Sequence, residues 1–371
     1  MAKKINFAFL KKSVLKKQNI SVFFNRVSRP ELAMFTHQFA AMIDAGLPLT
    51  KSLSVILNEV ENIKLKQVLA RIIYDIKSGV SLSDAFAKHP KIFSYFFINM
   101  IKSGEAAGIL PSVLKRLAQH LDKEQELRQK VSSAFAYPVV VSFVAAAVVF
   151  FLLIFIIPVF KNVYKSLRIS LPLPTLFLIN MSSFMVKYWW ILLLLLVASF
   201  FIFKKISKRK KVIFFIDHFK LFMPVFGKIN RKIATARFTR TLASMIAGGV
   251  PLIVSLDVSK EAVNNRVALA VIRALKNNVS KGGRLSEILE KQNIFPPLAV
   301  QMISTGEESG TLDKMLNKTA DFLDEEIDVN LRRLVIKLEP SLTFFLAALV
   351  GYIAISIYLP MFDIIRGLSA K

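Results

Sequence analysis

The strongest constraint on this chain is that it repeats itself. Gly104-Glu105-Ala106-Ala107-Gly108-Ile109-Leu110 returns as Gly306-Glu307-Glu308-Ser309-Gly310-Thr311-Leu312. Upstream, Met42-Ile43 and Gly46-x-Pro48-Leu49 match Met245-Ile246 and Gly249-x-Pro251-Leu252 at a shift of 203 positions, which Leu82-Ser83-Asp84 and Leu285-Ser286-Glu287 keep. From Phe93 and Phe295 onward the shift is 202, so the second copy has lost one loop residue. The register then holds through Ala118/Ala320, Leu121/Leu323 and Glu124/Glu326 to Pro138/Pro340. A fixed-period repeat means one structural unit used twice, although two copies do not make a solenoid.

The spacing within one unit reads as helices. Ser28-Arg29-Pro30-Glu31 can form a capping box, opening a helix that runs to Gly46. Gly46 suits a left-handed C′ position, and Pro48 can begin a new helix without losing an amide bond. Further helices are expected over 50–61, 63–78, 82–88, 93–103 and 111–133, the last with Leu110, Leu114, Leu117, Leu121 and Leu127 at helical spacing. That makes a six-helix bundle, and the second copy a second one.

Composition decides where such bundles sit. Hydrophobic residues make up 54% of the chain and mean hydropathy is +0.50, too apolar for an ordinary soluble protein. Between Lys130 and Lys161 there is no charge, and Val139 to Ile157 is long enough to span the roughly 30 Å hydrocarbon core of a bilayer. Pro340 to Phe362, between Glu339 and Asp363, is a comparable stretch. Each repeat therefore ends in a long helix, a proline and a span, so these two spans should cross in the same direction. An odd number of crossings must separate them, which favours one intervening span over 182–203, with Lys187 snorkelling beside Trp189 and Trp190. Leu171-Pro172-Leu173-Pro174 is expected to be loop.

The expected fold is thus an all-α membrane protein with two homologous cytoplasmic six-helix bundles and three transmembrane helices. Its segments are a basic arm over 1–28, the first bundle over 29–137, a span over 138–158 and an external loop over 159–181. The second span covers 182–203, a basic connector and second bundle 204–339, the third span 340–362 and an external tail 363–371. Orientation follows from positive charge: Lys187 stands alone against Lys204, Lys205, Lys208, Arg209, Lys210 and Lys211 downstream, which places that end and both bundles in the cytoplasm. The N-terminus is then cytoplasmic and the C-terminus external. The arm before Ser28, with Lys3, Lys4, Lys11, Lys12, Lys16 and Lys17 among apolar residues, reads as a membrane- or partner-binding arm or as a plain tail.

Most chemistries are not written here. The net charge of +26 suits anionic lipid, acidic partners or nucleic acid, of which the membrane surface is the simplest and direct nucleic-acid binding is not expected. Cysteine is absent, so disulfides and thiolate metal sites are excluded. No glycine cluster has the Gly-x-x-x-x-Gly-Lys-Ser/Thr phosphate cradle, and Lys281-Gly282-Gly283-Arg284 reads as a helix end. His37, His89, His120 and His218 show no zinc-hydrolase pairing. The expected spans carry no acid or base at depth, which disfavours a secondary transporter. No catalytic, cofactor or metal residue is assigned.

Two features stand as interaction candidates. Gly104, Gly108, Gly306 and Gly310 read as turn glycines between the fifth and sixth helices, with Glu105 and Glu307 near the amino end of the sixth. An alternative makes this acidic turn a docking point for a partner. Ala347-x-x-x-Gly351 would let two membrane helices approach closely in an oligomer. The acidic groups Asp324, Glu325, Glu326 and Asp328, with counterparts Asp122, Glu124 and Glu126, read as solvated helix faces.

Two bundles, each with Gly-x-Pro-Leu early and Gly-Glu-x-x-Gly-x-Leu late and each followed by a span, resemble the inner-membrane platform proteins of type II secretion and type IV pilus assembly. The resemblance covers about residues 30–365. It implies a non-enzymatic scaffold in the bacterial inner membrane that couples a cytoplasmic hexameric ATPase to pilins or pseudopilins entering a growing filament. It further implies contacts with other inner-membrane assembly proteins and self-association as a homo-oligomer, as a dimer. Some secretion-type members bind a metal in the first bundle, but no matching ligands can be named here. Pilus, secretion and competence branches stay open, with the pilus favoured, and a small-molecule or ion permease is the competing class.

Overall fold

A computed structural model describes residues 26–166, 171–206, 210–224, 226–263, 265–292 and 294–369. Residues 1–25 of the basic arm, much of the basic run after Lys205 and the extreme C-terminus lie outside these. Among the described residues there is no strand. The helices are α1 (Arg29–Asp44), α2 (Leu49–Glu59), α3 (Ile63–Lys77), α4 (Leu82–Ala87), α5 (Tyr95–Ala107), α6 (Leu110–Phe151), α7 (Ile157–Ser166) and α8 (Leu173–Ile206). They continue with α9 (Lys210–Phe222), α10 (Phe226–Ala247), α11 (Leu252–Ala262), α12 (Arg266–Val279), α13 (Leu285–Glu290), α14 (Pro297–Glu308) and α15 (Leu312–Ser369).

Contacts divide the chain into two units. The first joins residues up to Leu127 with Asn230–Asp324. It is built from local signals that recur in register. Ser28 and Glu31 make the reciprocal capping box of α1, Glu31 accepting from Ser28 N at 2.6 Å while Ser28 Oγ accepts from Glu31 N at 3.3 Å. Asn62 and Asn265, one repeat apart, each turn a side-chain carbonyl onto the second and third amides of α3 and α12. Pro48 and Pro251 cap α2 and α11.

The core of the first copy is aromatic. Phe35, Phe39, Phe86, Phe93 and Phe97 are almost wholly buried, with neighbouring ring centroids 4.5–6.3 Å apart, mostly tilted or edge-on as ring quadrupoles favour. In the second copy only Phe35 and Phe93 keep their rings, as Phe238 and Phe295, whose centroids lie 5.7 Å apart. Phe39, Phe86 and Phe97 become Leu242, Leu289 and Ala299, all buried. The layout survives while the side chains change, as core packing tolerates when volume is compensated.

The second unit joins Arg128–Ile229 with Glu325–Lys371. Two helical runs among the described residues, Leu110–Ser166 and Leu312–Phe362, are long and apolar enough to cross a membrane. The first passes through a π-helical turn at Leu152–Ile156. The segment expected as loop over 159–181 is helical over most of its described length, because Pro172 and Pro174 fall at the start of α8. There a missing N–H breaks no helical bond.

Pro158 and Pro360 are 202 positions apart and occupy equivalent places in the repeat. In an α-helix Pro360 would withhold the donor for the carbonyl of Ser356; across the π turn, where Ile157 N reaches Leu152 O, Pro158 withholds it from Leu153. Both orphaned carbonyls are satisfied from α8: Thr175 Oγ1 donates to Ser356 O at 2.5 Å and Ser182 Oγ donates to Leu153 O. Tyr164 OH donates to Ile357 O beside them. Away from water such a carbonyl has no alternative partner. Thr175→Val and Ser182→Ala should each cost about 0.6–1.7 kcal/mol in detergent unfolding. The Thr175→Val loss should shrink when Pro360→Ala returns the missing N–H.

Candidate functional site

Of the motif glycines expected in the turn between the fifth and sixth helices, only the second of each copy lies in it. Gly104 and Gly306 lie inside α5 and α14, not between helices. They are glycines because α6 and α15 return too close for a side chain. A Cβ on Gly104 would stand 2.9 Å from Val113 Cβ, and one on Gly306 would stand 2.7 Å from Met315 Cβ. The turn proper belongs to Gly108 and Gly310, with φ of 68° and 67°, a left-handed conformation that glycine adopts without penalty.

The glutamates are likewise displaced from their expected place. Glu105 sits in the last turn of α5, not the first of α6, and reaches 23 positions back to the start of α4. Its carboxylate accepts from Leu82 N at 2.7 Å, Ser83 N at 3.1 Å and Ser83 Oγ at 2.7 Å. Glu307 does the same to Leu285 N at 2.7 Å, Ser286 N at 3.3 Å and Ser286 Oγ at 3.1 Å. The carboxylates offered by sequence to a partner are therefore engaged at home, closing short helices that six residues could not hold alone. Glu105→Ala or Glu307→Ala should each lower unfolding free energy by about 1–2 kcal/mol, and Gln should recover part of it because an amide still accepts one bond.

A second constellation joins the sixth helix of each copy to its first. Arg240 on α10 donates from Nη1 to Asp321 at 3.1 Å and from Nη2 to Asp324 at 2.6 Å. One repeat earlier the same places hold His37 and Asp122, and His37 Nε2 meets Asp122 Oδ2. Asp122 and Asp324, expected on solvated helix faces, are engaged in these pairs. The pairing is hidden in the sequence because arginine has become histidine between the copies, and the register alone could have found it. Asp122 and His37 are half exposed, whereas Arg240 and Asp324 are nearly buried.

Where the two copies meet within this unit, Arg116, His120, Asp122, Arg240, Ser244 and Asp321 are among the residues lining a cleft of about 400 Å³. His120 is buried, its ring 4.1 Å from that of Phe96. Ser244 Oγ donates to Arg240 O at 2.8 Å, so the 3.3 Å contact with His120 Nδ1 assigns the ring nitrogen as donor. Burial, reinforced by the Arg240 charge and opposed by Glu124, pushes the imidazole down to about 4. The ring is neutral near pH 7 and serves as packing. Elsewhere, hydrogen bonds from Lys260 and Lys276 hold Asp257 below its usual range. Among the described residues, no three His, Asp or Glu side chains converge as a metal-ligand set. What the cleft offers is satisfied ion pairs between helices, which hold geometry.

Ala347 is exposed on α15, and a Cβ on Gly351 would meet nothing within 4 Å. The small-residue face is open, as a neighbouring helix would require.

The repeat seen in the helices is matched by a family model. The description "Type II secretion system (T2SS), protein F" fits residues 35–158 and again 238–360. The chain is 38% identical to a type IV pilus assembly protein PilC of Myxococcus xanthus, over 95% of this chain and 85% of that one. It is 40% identical to PilC of Thermus thermophilus, over 92% and 84%. With a type II secretion system protein F of Xanthomonas campestris it shares 34% identity, over 91% and 84%.

Proposed function

Given that the chain belongs to the type II secretion system protein F family, matched once in each half, we propose that it is the inner-membrane platform of a filament-building machine. In this reading it couples a cytoplasmic hexameric ATPase to the insertion of pilins or pseudopilins, and contacts other inner-membrane assembly proteins. It performs no chemistry of its own. One observation carries the reading: each copy of the duplicated domain continues through an unbroken helix, α6 or α15, into an apolar segment able to cross a membrane. A helix that runs on from the domain with no intervening loop, through Pro138 or Pro340, ties it directly to its membrane segment, which suits a part that is pushed.

The remaining topology is part of the proposal. The apolar helix α8 supplies a third crossing, so that both bundles and the N-terminus face the cytoplasm and the C-terminus faces outward. The six-helix bundles begin near residues 29 and 231, and the family reading makes the protein a dimer. Of the relatives above, the two pilus assembly proteins share more identity with this chain than the secretion protein does, which supports the pilus branch.

Deletion of the gene tests this. Electron microscopy should find surface filaments lost while the pilin subunit persists in the membrane fraction, and restoring the gene should restore them. Filaments, protein export and DNA uptake all unchanged would overturn the reading.

A further inference from the structure

The two copies do not meet symmetrically. The turn after α10 in the second copy is pressed onto α5 of the first. Ser103 Oγ donates to Gly248 O at 2.9 Å. A Cβ on Gly248 would already stand 3.0 Å from Met100 Sδ. Val258, from α11, belongs to the same buried cluster as Phe96 and Met100. The second copy thus presents a turn face, and the first copy presents a helix face that receives it.

Because the copies are repeats, each owns the other face as well. The counterpart of the Gly248 turn is Ala45-Gly46, which is exposed, and the counterpart of Val258 is Val55, 37% exposed against 0%. On the receiving side, Phe96 becomes Leu298, 43% exposed against 8%, and His120 becomes Phe322, 36% against 8%. Ser103 becomes Thr305, exposed, whose hydroxyl falls back on its own helix at Gln301 O. The chain therefore carries one exposed turn face and one exposed helix face at the positions equivalent to the pair already packed together inside it; with Ala45 in place of Gly248, the flexible end of Met302, the counterpart of Met100, must give by a few tenths of an ångström for the contact to be repeated.

We propose that these faces are occupied by a second copy of this chain. The Ala45 turn of one molecule docks on α14 of the next, repeating between chains the contact that joins the halves within one. Such a contact is head-to-tail, using two different patches rather than one patch twice. The occupant follows from continuity with the internal interface: the turn equivalent to the one that docks inside the chain is present, and exposed, in the first copy of every chain. This concerns self-association alone and stands or falls apart from any role in filament assembly.

The absence of cysteine makes the test clean. Ala45→Cys and Thr305→Cys are placed on separate full-length chains carrying different tags, co-produced in membranes and treated with a short bismaleimide. The expected result is a mixed-tag dimer at least about tenfold above the yields of the 45/45 and 305/305 pairings, falling to background when Leu298→Glu is added to the Thr305→Cys chain. Leu298 is exposed, and an unchanged melting temperature will confirm that this substitution spares the fold. Should it unfold the chain, the position-specific yields decide alone. Equal yields from like pairings, no mixed product above background, or a full yield from a folded Leu298→Glu chain would overturn the proposal.

Discussion

Arg240→Ala should destabilise the first unit by about 1.5–3 kcal/mol, seen as a lower midpoint in denaturant or heat, because it removes the 2.6 Å charge-assisted hydrogen bond to a nearly buried carboxylate on Asp324. The same substitution at Asp321, whose side chain is 61% exposed, should cost no more than about 1 kcal/mol, since water replaces what is lost. Arg240→His installs in the second copy the residue that the first copy uses at this place. It should retain part of the pair's stability at pH 6 and less at pH 8, where a neutral imidazole no longer carries a charge to meet Asp324. Equal costs at Arg240 and Asp321 would show that burial does not set the strength of this pair.

The second large effect is a response to acid. An unfolded chain lets a histidine titrate near 6.5, whereas the folded protein holds His120 at about 4. As pH falls below about 6.5 the unfolded chain takes up the proton first, so stability drains away until the folded ring titrates as well. Over that interval His120 removes about 3 kcal/mol, and above pH 7 it contributes no pH dependence. Asp257, with its folded value lowered, also loses stability on acidification, but in a lower window, below the ordinary aspartate range. His120→Phe, which keeps a ring against Phe96 and borrows the residue of the second copy, separates the two. Melting curves at pH 7.5 and 4.5 should converge in the variant by about 3 kcal/mol relative to the parent. An unchanged difference would mean that the ring is not held neutral by burial.

What the sequence made legible was the register. The repeated Gly-x-Pro-Leu and Gly-Glu-x-x-Gly-x-Leu stretches lie at equivalent helix junctions, and the one-residue loss falls in the loop after α4 and α13. The misreadings came where meaning is not local. A glycine four positions before another can mark a turn or a close approach, and only the return of Val113 or Met315 against it decides which. Glu105 looked like a cap for the next helix, because nothing in its spacing reveals that Leu82 and Ser83 lie within 3.1 Å. Both Leu-Ser dipeptides were visible as repeats, yet linking them to the glutamates needed the fold. The prolines at 172 and 174 were read as breakers when they are starters, a distinction set by position within the first turn. Arg240 and His37 escaped notice because the repeat preserved the place and changed the residue.

The proposed architecture is a module used twice, with both uses on one side of the membrane. Reporter fusions after Arg128, Arg168, Lys211 and Lys371 measure this directly. Activity in the order inside, outside, inside, outside is the expected result, and a fusion after Lys211 that reports outside would contradict it.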